Sequence, residues 1–167
     1  HLRLSQAQAN ALMAAPGMKT LMGMRDTALI SLMLCTGLRE AETCALDVTD
    51  LRQQLGGEPA LLVRKGKGAK QRLVPYGALH WVLVVVNAWL QNAGIDQGAV
   101  FRGFYKGGRR IRPARLSVRS VNYILDQYPI NIDGHLRTVN PHDLRRTYAR
   151  RLYDAGTDLL AIRDNLG

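Results

Sequence analysis

Apolar residues recur at helical spacing through most of the chain, and the pattern is interrupted at glycine, proline and cap-forming residues. Ser5 opens a helix predicted over residues 6–15, closed by Pro16-Gly17. Residues 24–35 form a second predicted helix, with Leu29, Ile30, Leu32, Met33 and Leu34 mostly buried and Thr36-Gly37 as its stop. A short helix follows from about residue 39 to residue 46. The period then shortens. Residues 61–64 and 71–74 read as strands around the glycine- and lysine-rich turn 65–70, with 48–53 as a third strand. Residues 77–92 read as an apolar helix closed by Gly94. Residues 102–115 carry no acidic side chain, and their glycines and like charges predict a mobile exposed loop. Ser117 caps a helix over 118–127, broken at Tyr128-Pro129. Asn140 and Pro141 open the next, which ends at Gly156 and buries a stripe of Leu144, Tyr148 and Leu152. Thr157 caps a last helix over 158–165. The expected fold class is mainly α with a small three-stranded antiparallel β-sheet, in one domain.

Charge changes the picture. Lys and Arg number 23 against 13 Asp and Glu, a formal net charge of +10. Such a surplus points to a polyanionic partner, nucleic acid first, with a merely basic soluble protein as the bland alternative. No apolar run approaches membrane-spanning length, and no long helix pairs a basic face with an aromatic one, so no membrane partner is expected. The opening His1-Leu2-Arg3-Leu4-Ser5 is not read as a signal peptide. Cys35 and Cys44 and four scattered His do not have the spacing of a zinc site. Two buried reduced thiols in a cytosolic protein are expected.

Candidate chemistry centres on residues 140–151, Asn-Pro-His-Asp-Leu-Arg-Arg-Thr-Tyr-Ala-Arg-Arg. His142 and Arg145 share one helical face beside a helix N-terminus, a place suited to an anion. Arginine offers a planar, permanently charged fork for phosphate oxygens, and histidine exchanges a proton near neutral pH. Together they suggest phosphoryl transfer. The same stretch also reads as a capped amphipathic helix with a solvated basic face. Arg39 follows a glycine turn at a helix start and Lys67 sits at a hairpin tip. Each also reads as an ordinary surface charge. Cys44, Tyr148 and Tyr153 are read as core residues.

Taken in order, these pieces resemble the catalytic domain of the tyrosine recombinases, the phage integrase family. Thr36-Gly37-Leu38-Arg39-x-x-Glu42 is similar to its first-arginine motif, Gly66-Lys67-Gly68-Ala69-Lys70-Gln71-Arg72-Leu73-Val74-Pro75 to its hairpin-lysine motif, and His142-x-x-Arg145-x-Thr147 to its His-x-x-Arg box. Residues 155–167 resemble the helix that leads to the next motif. The resemblance implies that Arg39 and Arg145 grip the scissile phosphate and that Lys67 protonates the leaving oxygen. His142 would assist proton transfer or bond the phosphate, and Glu42 would orient the arginines. It implies no cofactor and no metal. Lys65, Lys70, Arg72, Arg109, Arg110, Arg112, Arg146 and Arg150 are candidates for contacts to the backbone of double-stranded DNA.

The family's pattern continues beyond the Leu166-Gly167 pair to a tyrosine nucleophile, and begins with an N-terminal DNA-clamping domain. Residues 1–167 are therefore expected to be a catalytic-domain fragment, inactive alone, from a cytoplasmic prokaryotic or phage-encoded recombinase. The intact parent would assemble as a tetramer on DNA. The alternatives are a non-catalytic DNA-binding accessory module of the same fold and a type IB topoisomerase-like enzyme.

Overall fold

A computed structural model describes residues 2–64 and 71–167, except for the Leu79 side chain. Among the described residues the predicted segments form seven helices: α1 (Gln6–Ala14), α2 (Leu21–Thr36), α3 (Glu40–Cys44), α4 (Val82–Ala93), α5 (Val118–Asp126), α6 (Pro141–Asp154) and α7 (Leu159–Leu166). Strands β1 (Gln53–Leu55), β2 (Glu58–Val63) and β3 (Arg72–Pro75) make an antiparallel sheet in that order. Two further hairpins pair β4 (Arg102–Phe104) with β5 (Ile111–Arg115) and β6 (Ile130–Ile132) with β7 (His135–Arg137).

Helix α2 is the axis of the core. It is buried continuously from Arg25 to Thr36 and packs against α1, α4 and α6. A helix apolar on nearly all sides is stable only where every side has a neighbour. It starts earlier than its apolar run because Thr20 caps it, Oγ1 accepting the Gly23 N–H at 3.0 Å. The polar pair Arg25-Asp26 lies inside the core and is satisfied there. Arg25 Nε donates to Asp26 Oδ1 at 2.9 Å, and the Tyr128 hydroxyl donates to Asp26 Oδ2 at 2.6 Å. Arg25 also donates to the Arg102 carbonyl and lies 4.8 Å from the centre of the Phe104 ring. This network joins α2 to β4 and to the end of α5.

Several expectations are corrected. Residues 48–51 form a 3-10 turn and not a strand, because Val48 and Leu51, three apart, are both buried and Asp50 accepts the Asp47 N–H. The third strand falls instead on β1. Residues 102–115 are a β-hairpin and not an irregular loop: Arg102 pairs with Arg115 and Phe104 with Ile111, and the Phe104 and Ile111 side chains pack on the core. The β6–β7 hairpin was not expected, since three-residue strands are too short to display a period. Residues 77–79 are a separate 3-10 turn before α4. Asp158, not Thr157, caps α7. Tyr153 is 53% exposed beside Arg150 and is no core residue, and Leu152 is only half-buried, whereas Leu144 and Tyr148 are buried. Cys35 and Cys44 are buried free thiols, both pushed up to about 11 by burial. No described helix is long and apolar enough to cross a membrane.

Candidate active site

The site begins where α2 stops. Gly37 adopts φ +68°, closing the helix with its N–H on the Met33 carbonyl at 2.9 Å. It must also lack a side chain, because a Cβ there would collide with the ring of Tyr148 on α6. This close approach brings the Gly37 carbonyl to Arg145, whose Nη1 donates to it. The end of one buried helix thus aims an arginine on another.

Two residues later the chain enters α3 with Arg39 as N-cap, its backbone extended at φ −71° and ψ 156°. The Arg39 N–H donates to Glu42 Oε2 at 2.9 Å and its Nη1 to Oε1 at 3.2 Å. Glu42 is buried, and Arg72 at the start of β3 meets it two-toothed, Nη1 to Oε1 and Nη2 to Oε2, both at 3.0 Å. Arg72 Nε donates to the Asn165 carbonyl at 3.0 Å. The next carbonyl of α7, that of Leu166, is reached by Arg39 Nη1 and Arg145 Nη2, each at 3.5 Å. Arg39 Nη2 lies 3.4 Å from the Gly167 carbonyl.

Two guanidinium groups, those of Arg39 and Arg72, therefore grip one carboxylate, and a third, that of Arg145, meets Arg39 at the Leu166 carbonyl. Burial alone would raise the Glu42 carboxyl, but the Arg72 fork, the Arg39 N–H and the two cationic neighbours outweigh it and hold it below the usual range. Burial lowers the Arg145 guanidinium from its ordinary value and the like charge of Arg39 adds to this. It remains a cation, as arginine does in proteins. The three cations outnumber the Glu42 carboxylate, and the charge of Glu40 also acts on Arg145. Arg39, its side chain 37% exposed, is the open member, and Arg72, at 13%, the closed one. Fixed cations around a half-open centre suit an oxyanion whose charge rises during reaction.

Helix α6 is anchored at the same end. Asn140 Oδ1 accepts the Asp143 N–H and Asp143 Oδ2 accepts the Asn140 N–H, each at 3.0 Å. Asp143 Oδ1 takes the Leu2 N–H, and Thr147 Oγ1 the Leu4 N–H. His142 stands exposed on the first turn, three residues before Arg145.

The structure thus joins Arg39, Glu42 and Arg145, and sets His142 on the same helix as Arg145. Lys65, Lys67 and Lys70 lie outside the described residues, although their hairpin closes at the Val63–Arg72 pair. Arg72, a candidate for contact to the DNA backbone, has its guanidinium on Glu42 with its side chain only 13% exposed. Arg109, Arg110 and Arg112 are exposed on the β4–β5 hairpin, Arg110 and Arg112 lying 4.8 and 4.9 Å from the Tyr105 ring centre. Arg146 and Arg150 are exposed on α6, and Arg150 pairs with Asp154 at 2.9 Å. Two contributors carry no local sequence signal. Arg115 holds the end of α3 through the Cys44 and Leu46 carbonyls, both at 2.9 Å, and Asp47 at 2.6 Å. Asn165 contributes a main-chain carbonyl. Among the described residues no three His, Cys, Asp or Glu side chains converge to hold a metal ion.

Residues 2–167 match the phage integrase family. The chain belongs to that family, the tyrosine recombinases. The tyrosine recombinase XerD of Ralstonia nicotianae is 33% identical over 167 residues, taking in 98% of this chain and 51% of the relative. The tyrosine recombinase XerC of Myxococcus xanthus is 34% identical, across 94% of this chain and 51% of the relative. The chain thus spans about half the length of these curated relatives. The fold is that of the XerA recombinase crystal structure, with a TM-score of 0.74 at 24% identity, covering 100% of this chain and 57% of XerA. It is also that of the XerH site-specific recombinase bound to difH substrate before cleavage, with a TM-score of 0.70 at 22% identity, over 100% of this chain and 47% of XerH.

Proposed function

We propose that this chain is the phosphate-gripping part of a site-specific recombinase that cuts and rejoins double-stranded DNA through a 3′-phosphotyrosine intermediate. The observation that carries the reading is the convergence of Arg39 and Arg145, from two separate elements, on a single oxygen, the Leu166 carbonyl. Two guanidinium groups held that close can address two oxygens of one phosphate. In the reaction a tyrosine oxygen, supplied from outside these 167 residues, attacks phosphorus as the bond to the 5′ oxygen breaks. Arg39 and Arg145 offset the charge that builds on the non-bridging oxygens. Lys67 gives its proton to the departing 5′ oxygen. His142 serves the nucleophile's proton or bonds the phosphate. Rejoining runs the same steps backwards, so no high-energy cofactor is consumed.

Lys65, Lys70, Arg109, Arg110, Arg112, Arg146 and Arg150 hold the duplex through its phosphates, so affinity falls with salt. Tetrameric assembly on DNA and a cytoplasmic, prokaryotic or phage setting belong to the same reading. The test mixes this chain with a labelled nicked duplex across a salt series and looks for an adduct that survives SDS. Salt-sensitive binding without an adduct is expected. A chain extended through the next tyrosine then yields the adduct. Binding by both chains with an adduct from neither supports an accessory DNA-binding module, and no binding at low salt overturns the proposal.

A further inference from the structure

Arg72 occupies a junction between three elements. It is the first residue of β3, paired across the sheet with Val63, so it stands where the hairpin bearing Lys67 closes. Its two terminal nitrogens both meet Glu42 at 3.0 Å, and its third donor, Nε, meets the Asn165 carbonyl at 3.0 Å. Glu42 in turn holds both the backbone and the guanidinium of Arg39. Gly167 lies so close that a Cβ would sit 2.7 Å from Arg72 Nη1. Glu42 and the Asn165 carbonyl take up three of the five N–H groups of this guanidinium, and its side chain is only 13% exposed, so little of it is open to a phosphate. Arg39, in contrast, holds Glu42 with one nitrogen of its guanidinium and is more exposed.

We infer that Arg72 is a positioning residue: it ties the start of β3, Arg39 and the end of α7 into one arrangement without binding phosphate itself. The inference rests on the phosphate-gripping role proposed for Arg39 and Arg145. It explains why the position carries a planar fork. A lysine has the charge but cannot engage both Glu42 oxygens and the Asn165 carbonyl in one plane. Arg72 links β3 directly to the carboxylate that orients Arg39.

The test uses the 167-residue chain with 15N-labelled arginine and inorganic phosphate as the probe. Arg39 and Arg145 side-chain signals are followed in the wild type, Arg72→Lys, Arg72→Gln, Glu42→Gln and the Arg72→Gln/Glu42→Gln double variant. The double variant removes both buried charges together, so the fold does not depend on an uncompensated carboxylate, and thermal unfolding checks each protein. Arg72→Gln is expected to weaken the phosphate response of Arg39 by about tenfold or more, the scale of a misplaced catalytic group. Arg72→Lys should not rescue it, and the double variant should be little worse than either single one. Duplex affinity is measured against salt in parallel. In an Arg39→Gln background, where the loss of the Arg39 contact is already counted, its logarithmic slope should be the same with and without Arg72→Gln, whereas removal of a direct phosphate ligand would lower it by about 0.9. A fall in slope, full rescue by lysine, or an unchanged Arg39 response overturns the inference. If the wild type binds no duplex while Arg72→Gln still disturbs the phosphate response of Arg39, the recombinase reading fails and the positioning role stands.

Discussion

Two arginine-rich regions of this molecule handle charge in opposite ways. Around Glu42, the guanidinium groups of Arg39, Arg72 and Arg145 are pinned by a carboxylate and by main-chain carbonyls from α2 and α7. On the β4–β5 hairpin, Arg109 and Arg110 stand exposed in the turn and Arg112 on β5, and the ordering contacts of the latter two include the Tyr105 ring. The first arrangement gives up conformational freedom in advance, which suits a site where charge must be met at fixed positions. The second keeps its side chains exposed and adaptable, which suits contacts that share the work of holding a polyanion. Residue type alone does not separate these roles. The partners do.

Four variants sharpen the contrast. The largest effect is expected from Arg145→Ala in a chain extended through the nucleophile. Strand cleavage should fall by about two to four orders of magnitude, or about 3–5 kcal/mol, because one preorganised cation is removed. Duplex binding should persist because many contacts share it. Near-normal cleavage in a single-turnover assay would remove Arg145 from the centre. Next comes Gly37→Ala. A methyl group would meet the Tyr148 ring and force a side chain into a left-handed backbone, at a cost of about 2–4 kcal/mol in denaturant unfolding. A stability within about 0.5 kcal/mol of wild type would show that the α2–α6 approach is not as tight as described.

The third prediction concerns pH. The folded-state pKa of Glu42 is depressed, so its ionised form stabilises the fold above the ordinary carboxylate range, and that contribution is lost as pH falls through the depressed value. Asp26 works in the opposite sense. Burial raises its pKa against the lowering effect of Arg25, so acidification through the range between its unfolded and folded values favours the fold. Glu42→Gln should therefore lose less stability than wild type between about pH 5 and about pH 3, as read by urea unfolding at each pH. An unchanged or steeper loss would mean that Glu42 is not held as its hydrogen bonds require. The smallest effect on the fold belongs to the hairpin. Arg110→Gln/Arg112→Gln should leave stability within about 0.5 kcal/mol, while the salt slope of duplex binding falls by about 0.9 for each phosphate these arginines neutralise. An unchanged slope would separate this hairpin from the DNA surface.

Much of the fold was legible in local pattern. The caps at Ser5 and Asn140 and the stops at Gly37 and Gly94 lie where the spacing predicts, because a helix end is a local hydrogen-bonding problem solved by nearby residues, and Ser117 takes the N-cap position of α5 without a side-chain cap bond. The β4–β5 and β6–β7 hairpins were not, since strands of three to five residues depend on what they pack against. Tyr153 shows the same limit at one side chain: as an aromatic it reads as a core residue, and the packing of α6 left it outside.

By itself the sequence determined the helical framework, the shared face of His142 and Arg145, and the ordered motifs that mark the family. The tertiary structure alone decided which arginines face inward. Arg72 meets Glu42 from 30 positions away and Asn165 from 93, and Arg145 meets Gly37 from 108. Helical spacing is set within a few residues by backbone hydrogen bonds, whereas a long flexible guanidinium side chain takes its direction from whatever acceptor folding brings beside it.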